Sequence, residues 1–226
     1  MWRMFMGLAA FVAVGLFLLH RYRGESQRRQ REPARFYARA LAVLERGELQ
    51  ATGAVGYPRL AGRYQGFPVQ VQPVIDTLAT RRLPALWLLV TLQDALPVAA
   101  RLDLMMRPTA ATTFSNFDLL PVTLQLPAGF PEHSVLRTDD AQSALPAGVL
   151  APHLDVFESP RAKELLITPN GVRLVWLIAE ADRARYGVFR EADFGETDLD
   201  PDLLRSLLDR LVALRHSVVE SMRKVS

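Results

Sequence analysis

The feature that most constrains this chain is an uncharged run near its start, from Met4 to Leu19. The run holds 16 residues without a charge or a proline, close to the about 17–25 helical residues that cross the hydrocarbon core of a bilayer. A surface helix of a globular domain would show a polar face, and this run shows none. It therefore predicts a single transmembrane helix over residues 1–22. A cleaved secretion signal is the weaker alternative, because His20 and Arg21 follow directly, without a small-residue cleavage pattern.

Aromatic and apolar side chains are expected to hold this helix in the membrane. Amphipathic rings settle at the two membrane interfaces, so an aromatic residue near each end suits a spanning helix. The predicted anchor residues are Trp2, Met4, Phe5, Phe11, Phe17, Leu19 and Tyr22.

Arginines follow the apolar run and predict its orientation. Basic residues next to a span stay on the cytoplasmic side, which places the N-terminus outside and the remaining chain in the cytoplasm, at a bacterial inner membrane. Basic residues at a membrane surface also attract anionic headgroups, so membrane lipids are a predicted partner. The predicted headgroup-facing residues are Arg21, Arg23, Arg28, Arg29 and Arg31.

The positive charge of the chain is confined to this N-terminal part. The net charge is +3, but Arg3 and six arginines between residues 21 and 35, against Glu25 and Glu32, leave residues 36–226 near −2. A nearly neutral domain argues against a nucleic-acid partner, which would require a basic surface. The chain has no cysteine, which excludes disulfides, thiol catalysis and cysteine-ligated zinc.

The remaining sequence predicts a linker and short helix over residues 23–47 and one α+β domain over residues 48–226. Short alternating segments are typical of half-buried strands. The most apolar, residues 86–93, is predicted to be a central strand covered on both sides, with residues 98–107 beside it. The other predicted strands are 59–65, 67–75, 122–127, 133–138 and 186–194.

Two local signals in the second half of the chain are specific. Asn170-Gly171 lies between two apolar runs, which predicts a hairpin with a tight turn. Asp200 and Pro201 open a run with leucines at helical spacing, which predicts a long C-terminal helix. The predicted fold class is therefore α+β: an N-terminal transmembrane helix, then an antiparallel-sheet domain with a long C-terminal helix.

No pattern in the sequence indicates a chemical activity, a cofactor or a metal. His133, His153 and His216 lack the spacing of metal ligands. The D-x-D-x-D run at Asp198 lacks the glycine of a calcium loop, so helix capping explains it better. Nucleophile elbows and glycine-rich phosphate or dinucleotide loops are absent from the sequence. The protein is predicted not to be an enzyme.

One irregular segment, FSNFDLL, carries several apolar residues. Core packing is the first expectation for them, and an exposed docking patch is the alternative. The candidate docking residues are Phe114, Phe117, Leu119 and Leu120.

The predicted function follows from the anchor and from the lack of catalytic motifs. It is a single-span accessory or scaffold subunit that docks on the cytoplasmic face of a larger integral membrane complex, with other membrane subunits as partners. Two alternatives stay open. One is a membrane-tethered enzyme or small-ligand module acting on lipid or nucleotide, and the other is an anchored assembly factor.

Overall fold

Nine strands and one long helix make up most of the fold. The computed structural model describes residues 35–52, 56–78, 83–108, 111–190 and 192–225. The strands are β1 (Glu45–Gln50), β2 (Arg59–Tyr64), β3 (Phe67–Asp76), β4 (Ala85–Gln93), β5 (Leu102–Met106), β6 (Val122–Leu124), β7 (Ser134–Thr138), β8 (Ala162–Thr168) and β9 (Gly171–Glu180). They form one sheet in the order β1-β2-β3-β4-β9-β8-β5-β7-β6, and every pair of neighbours is antiparallel.

Helical segments lie between and after the strands. A short helix spans Arg183–Phe189, and the C-terminal helix spans Pro201–Val225. Three 3-10 segments are Leu41–Val43, Phe117–Leu119 and Ala147–Glu158.

The sheet has two faces of different character. In β4 alternate residues are fully buried, whereas Trp87, Leu89 and Thr91 between them stay partly exposed. The buried residues point to the covered face, on which the C-terminal helix packs against β4 and β9. We call the opposite surface the open face. The expectation that β4 is covered on both sides is only partly met. The helix covers one side, and on the other side Trp87 and Leu89 pack against an apolar cluster around Phe114.

The core lies between the covered face and the C-terminal helix. The helix buries one leucine-rich stripe there, while charged residues occupy its outer side, as amphipathic spacing requires. The buried stripe consists of Leu204, Leu207, Leu208, Leu211, Leu214 and Val218.

The segment that precedes β1 belongs to this core. Phe36 and Tyr37 are fully buried, and the Tyr37 hydroxyl lies 2.9 Å from the carbonyl oxygens of both Pro58 and Val71. The Leu199 amide donates to the Phe36 carbonyl oxygen at 2.8 Å, which ties this segment to the start of the C-terminal helix. The predicted short helix is reduced to helical turns, since β1 begins at Glu45.

The two specific signals of the second half are confirmed. β8 and β9 form the predicted hairpin, but its turn residues are Pro169 and Asn170, because Thr168 pairs with Gly171 and Gly171 begins β9. The C-terminal helix starts at Pro201, and a carboxylate oxygen of Asp200 accepts the Asp202 amide at 3.1 Å. Both signals depend on local backbone chemistry, which tertiary packing does not override.

Two strand predictions are wrong. Residues 98–107 were expected beside β4, but β9 and β8 lie between β4 and β5. β9 has ten residues and pairs along the whole of β4, whereas β5 has only five. Residues 186–194 were expected as a strand, but the helix Arg183–Phe189 occupies their first part because the Asp182 carboxylate caps it at the Arg185 amide.

The predicted fold class also requires correction. The described structure is mostly a nine-stranded antiparallel sheet with a C-terminal helix, without the predicted transmembrane element. Among residues 35–225, apart from the gaps given above, no helix combines the length and the apolar character needed to cross a bilayer. The C-terminal helix is long enough, but it carries charged residues along one side. The predicted anchored accessory subunit and its inner-membrane localisation are therefore not borne out.

The anchor prediction itself, residues 1–22, lies outside the described residues. The same holds for the side chains assigned to it and to the lipid headgroups. These are Trp2, Met4, Phe5, Phe11, Phe17, Leu19 and Tyr22 for the anchor, and Arg21, Arg23, Arg28, Arg29 and Arg31 for the headgroups.

Candidate ligand-binding face

Strand register places a polar row of side chains across the open face. Residues directly opposite each other in antiparallel strands project to the same side of the sheet. From β3 to β7 this row consists of Gln70, Thr91, Arg173, Leu166, Asp103 and Arg137. Asp103 is buried, and the other five are partly exposed.

The next rows along the strands become apolar. The second row consists of Gln72, Leu89, Val175, Glu164, Met105 and Val135. The third begins with Val74, Trp87 and Leu177. The open face therefore changes from polar to apolar along β3 and β4, over about 13 Å at 3.4 Å per residue.

Residues 111–120 cross the open face, and we call them the strap. The Phe114 ring lies 5.2 Å from that of Trp87, between ring centroids. Phe114 and Phe117 form an apolar cluster with Met105 and Val175 that is separate from the main core. The strap is thus held by its own small core, and the partly exposed Leu89 borders it.

Two carboxyl groups lie under the strap. Asp103 on β5 and Glu164 on β8 are 2% and 0% exposed, and they are diagonal neighbours in adjacent strands. Burial, the Glu164 charge and a hydrogen bond with Glu164 raise the pKa of Asp103 well above its usual value. Two buried carboxylates cannot both stay charged at close range, so the pair holds a proton, with Asp103 as its donor to Glu164.

Polar and cationic neighbours stabilise the charged form of Glu164. The Ser115 hydroxyl of the strap donates to Glu164 Oε1 at 2.6 Å. Burial raises the pKa of Glu164, while hydrogen bonds from Ser115 and Asp103 and the charges of Arg173 and Lys163 oppose that rise. Lys163 donates to the carbonyl oxygens of Met106 and Arg107 at 2.7 and 2.8 Å, so the end of β5 holds it in place.

Three partly exposed arginines give the open face its charge. Arg59 donates to Gln72 Oε1 at 3.3 and 3.2 Å, and Arg173 Nε donates to Thr91 Oγ1 at 3.2 Å. The Arg137 guanidinium lies 4.9 Å from the Phe117 ring centroid, at the strap. Asp103 and Glu164 are buried, so Arg173 and Arg137 are the charges that the polar row presents to solvent between β3 and β7. The exposed Glu48 of β1 lies in line with that row, beyond Gln70.

Several buried polar atoms of the open face have no hydrogen-bond partner within the protein. Trp87 Nε1, Asp103 Oδ1, Glu164 Oε2 and Arg137 Nε are among five such side-chain atoms in the described ranges. The Asp103 and Glu164 side chains form a hydrogen bond with each other when Asp103 is protonated. The indole and guanidinium N–H groups remain as donors beside the strap, where an unpaired buried donor is costly.

The strap contains the four residues predicted for docking. Phe114, Phe117 and Leu120 are buried, and Leu119 is 77% exposed. Core packing, the first expectation, therefore holds for Phe114, Phe117 and Leu120. Of these four residues, Leu119 is the one that projects into solvent.

The other candidate residues do not converge on a site. The Asp198 carboxylate lies 3.4 Å from Arg39, and Asp200 caps the C-terminal helix. Asp139 accepts the Arg101 amide at 2.8 Å, and Asp140 accepts the Gln142 amide at 2.9 Å. Within the described ranges, no group of three His, Cys, Asp or Glu side chains is placed to hold a metal ion.

One histidine does approach a hydroxyl group. His153 Nε2 lies 2.9 Å from Ser217 Oγ of the C-terminal helix, and burial lowers the pKa of His153. A nucleophile–base pair also needs a group that orients the base. The carboxylate near His153, Asp155, pairs instead with Arg210 at 2.7 Å. The arrangement is better explained as packing of the helix on the Ala147–Glu158 segment.

Comparison with known proteins adds little to this geometry. No protein-family model matches the chain, and no curated protein matches it. Among solved structures, the chain is similar to the mycobacterial trehalose monomycolate transport factor A, TtfA. The identity is 8% and the TM-score 0.43, over 85% of this chain and 94% of that one. A similarity at this level supports no conclusion about function.

The sequence contained a signal for the open face that the pattern analysis missed. Asp103, Glu164 and Arg173 are charged residues inside otherwise apolar strand segments. Charged side chains are rarely buried without a partner, so a charge at such a position marks either an exposed row or a buried network. Only strand order decides between the two, because it brings β5, β8 and β9 together.

Proposed function

We propose that this protein is a non-catalytic binding module that holds an anionic ligand on the open face of its sheet. The observation that carries the proposal is the separation of charge on that face. Arg59, Arg137 and Arg173 are partly exposed, whereas Asp103 and Glu164 between them are buried. These arginines belong to a domain whose residues 36–226 sum to about −2.

Arg173 is the centre of the proposed site. It lies on β9, in the middle of the sheet, and Thr91 and Gln70 follow it in the same row. Guanidinium, hydroxyl and amide groups together supply the donors that a phosphate or carboxylate accepts. Arg173 Nε donates to Thr91 Oγ1, which holds the guanidinium in place, and the Arg173 charge also acts on the buried Glu164.

A non-enzymatic role is the more economical one for this site. The buried carboxyl pair lies beneath the strap, and Ser115 is its strap contact. Acid–base work needs a carboxyl group within reach of a substrate. The pair therefore supports the strap and the nearby arginines, and it does not itself contact a ligand.

We expect Arg173→Gln to weaken anion binding at least about tenfold, because a charge-assisted bidentate contact is worth about 1.5–3 kcal/mol. The measurement is a titration with inorganic phosphate, followed by backbone amide shifts of β3, β4 and β9. Arg205→Gln is the matched control, since Arg205 is an exposed arginine of the C-terminal helix that pairs with Asp202. Equal affinity in the parent and both variants would exclude the proposed site.

A further inference from the structure

The open face offers an anion site and an apolar surface in line with each other. Thr91 and Arg173 lie in the polar row, Leu89 in the next, and Trp87 with Val74 in the third. These three apolar side chains are partly exposed and pack beside the strap cluster. We call Val74, Trp87 and Leu89 the apolar lane.

We infer that the ligand is a single-chain anionic amphiphile, with its head group at Arg173 and its alkyl chain along the apolar lane. The inference rests on the proposed function and specifies the ligand class of that site. A phosphate or a carboxylate head would meet the same donors. The chain would run parallel to β3 and β4, toward the strap residue Phe114, which packs on Trp87.

The dimensions of the surface fit such a ligand. The polar row and the row of Val74 and Trp87 are four residues apart along β3 and β4, which is about 13 Å. An extended chain of roughly ten carbons has this length, from C–C bonds of about 1.5 Å. The next row along the strands, Asp76, Ala85 and Glu180, carries two carboxyl groups and ends the apolar surface.

Charge distinguishes this occupant from other apolar ligands. A cationic amphiphile would be repelled by Arg59 and Arg173. A neutral one would desolvate Arg59, whose hydrogen-bond partner Gln72 is uncharged, without supplying a counter-charge. An anionic head pairs with both guanidiniums, and the chain removes Leu89 and Val74 from water. The apolar lane would cover only one side of a bound alkyl chain. Each methylene group would therefore contribute less binding free energy than full burial provides.

The test is a chain-length series of alkyl phosphates, kept below micelle-forming concentrations. Binding of butyl, hexyl, octyl and decyl phosphate is followed by tryptophan fluorescence, with Trp87→Phe to assign the signal to Trp87. Full burial strengthens binding about fourfold per methylene, so we expect at least about tenfold from butyl to octyl phosphate.

Two leucine variants locate the chain. Leu89→Gln should remove most of the chain-length gain, so that butyl and octyl phosphate bind this variant with similar affinity. Leu119→Gln is the control, because Leu119 is an exposed leucine of the strap outside the apolar lane. Arg173→Gln should weaken every member of the series by a similar factor.

The remaining outcomes overturn specific parts of the argument. Phosphate binding that depends on Arg173 without a chain-length gain would refute the amphiphile and leave the proposed function standing. A chain-length gain that survives Leu89→Gln would refute the placement of the chain. Binding to vesicles of anionic lipid but not to monomeric decyl phosphate would refute a single-chain ligand. Failure of every phosphate to bind would refute both proposals.

Discussion

Gly171→Ala is expected to destabilise the protein by about 4 kcal/mol or more, from backbone strain together with a steric clash. Gly171 has φ +137°, and a Cβ atom there would lie 2.1 Å from the Leu92 carbonyl oxygen. No flexible side chain can move aside, since the obstacle is the backbone of β4. For a domain of this size we expect thermal unfolding about 10 °C lower, measured by calorimetry.

A matched control separates the clash from the strain. Gly129 also has a positive φ, +92°, but an added Cβ would meet no atom within 4 Å. Gly129→Ala should therefore cost only the conformational strain, about 1–2 kcal/mol. If Gly171→Ala costs no more than Gly129→Ala, the close packing of the β8–β9 turn on the end of β4 is wrong.

Asp103→Asn is expected to make the free energy of unfolding less sensitive to pH. The pKa of Asp103 is raised in the folded state, so the folded protein binds a proton that the unfolded chain releases above about pH 4. The stability linked to this proton is complete below about pH 4 and falls as pH rises toward the folded-state pKa. An asparagine amide can donate to Glu164 without a proton being taken up.

The charged and polar neighbours of Asp103 and Glu164 determine how strongly the free energy of unfolding depends on pH. Arg173, Lys163 and Ser115 act on Glu164, and Arg137 is the cross-strand neighbour of Asp103 on β7. We expect the stability of Asp103→Asn relative to the parent to grow by up to about 1.4 kcal/mol per pH unit above pH 4. Urea unfolding at several pH values measures this difference.

Asp118→Asn is the control for this experiment, because Asp118 is an exposed aspartate of the same strap. It should unfold with the pH dependence of the parent. An Asp103→Asn variant that is less stable than the parent by the same amount at every pH would contradict the shared proton.

The parts of the fold that the sequence predicted depend on local chemistry. The Asn170-Gly171 pair located the β8–β9 hairpin, although the turn residues are Pro169 and Asn170. Asp200 with Pro201 caps a helix whose leucines repeat at helical spacing. Alternation located β2 and β3 closely, because half-buried strands need it, and the apolar run 86–93 located β4. Each of these signals is complete within about 20 residues of chain.

Strand order could not be predicted in this way. β5 pairs with β8, and the paired residues lie 59 to 65 positions apart in the sequence. Nothing in LDLMM specifies that partner. The open face depends on this pairing, since it places Asp103 beside Glu164. The packing of the strap could not be predicted either, because the burial of Phe114 and Phe117 depends on Met105 and Val175 from distant strands.

The anchor prediction shows a different limit of sequence analysis. An apolar run near the start of the chain dominated the functional interpretation, although it carries no information about the sheet that follows. In the described structure, the candidate site consists instead of Arg59, Arg137 and Arg173 on the open face, with the strap beside them.

The most direct test of the central claim observes the arginine side chains themselves. In a titration with decyl phosphate followed by ¹H–¹⁵N NMR, the Nε–Hε resonances of Arg173 and Arg59 should shift and saturate together. Those of Arg205 and Arg210 on the C-terminal helix should stay unchanged. Equal shifts for all four arginines, or shifts confined to the helix, would contradict a binding site on the open face.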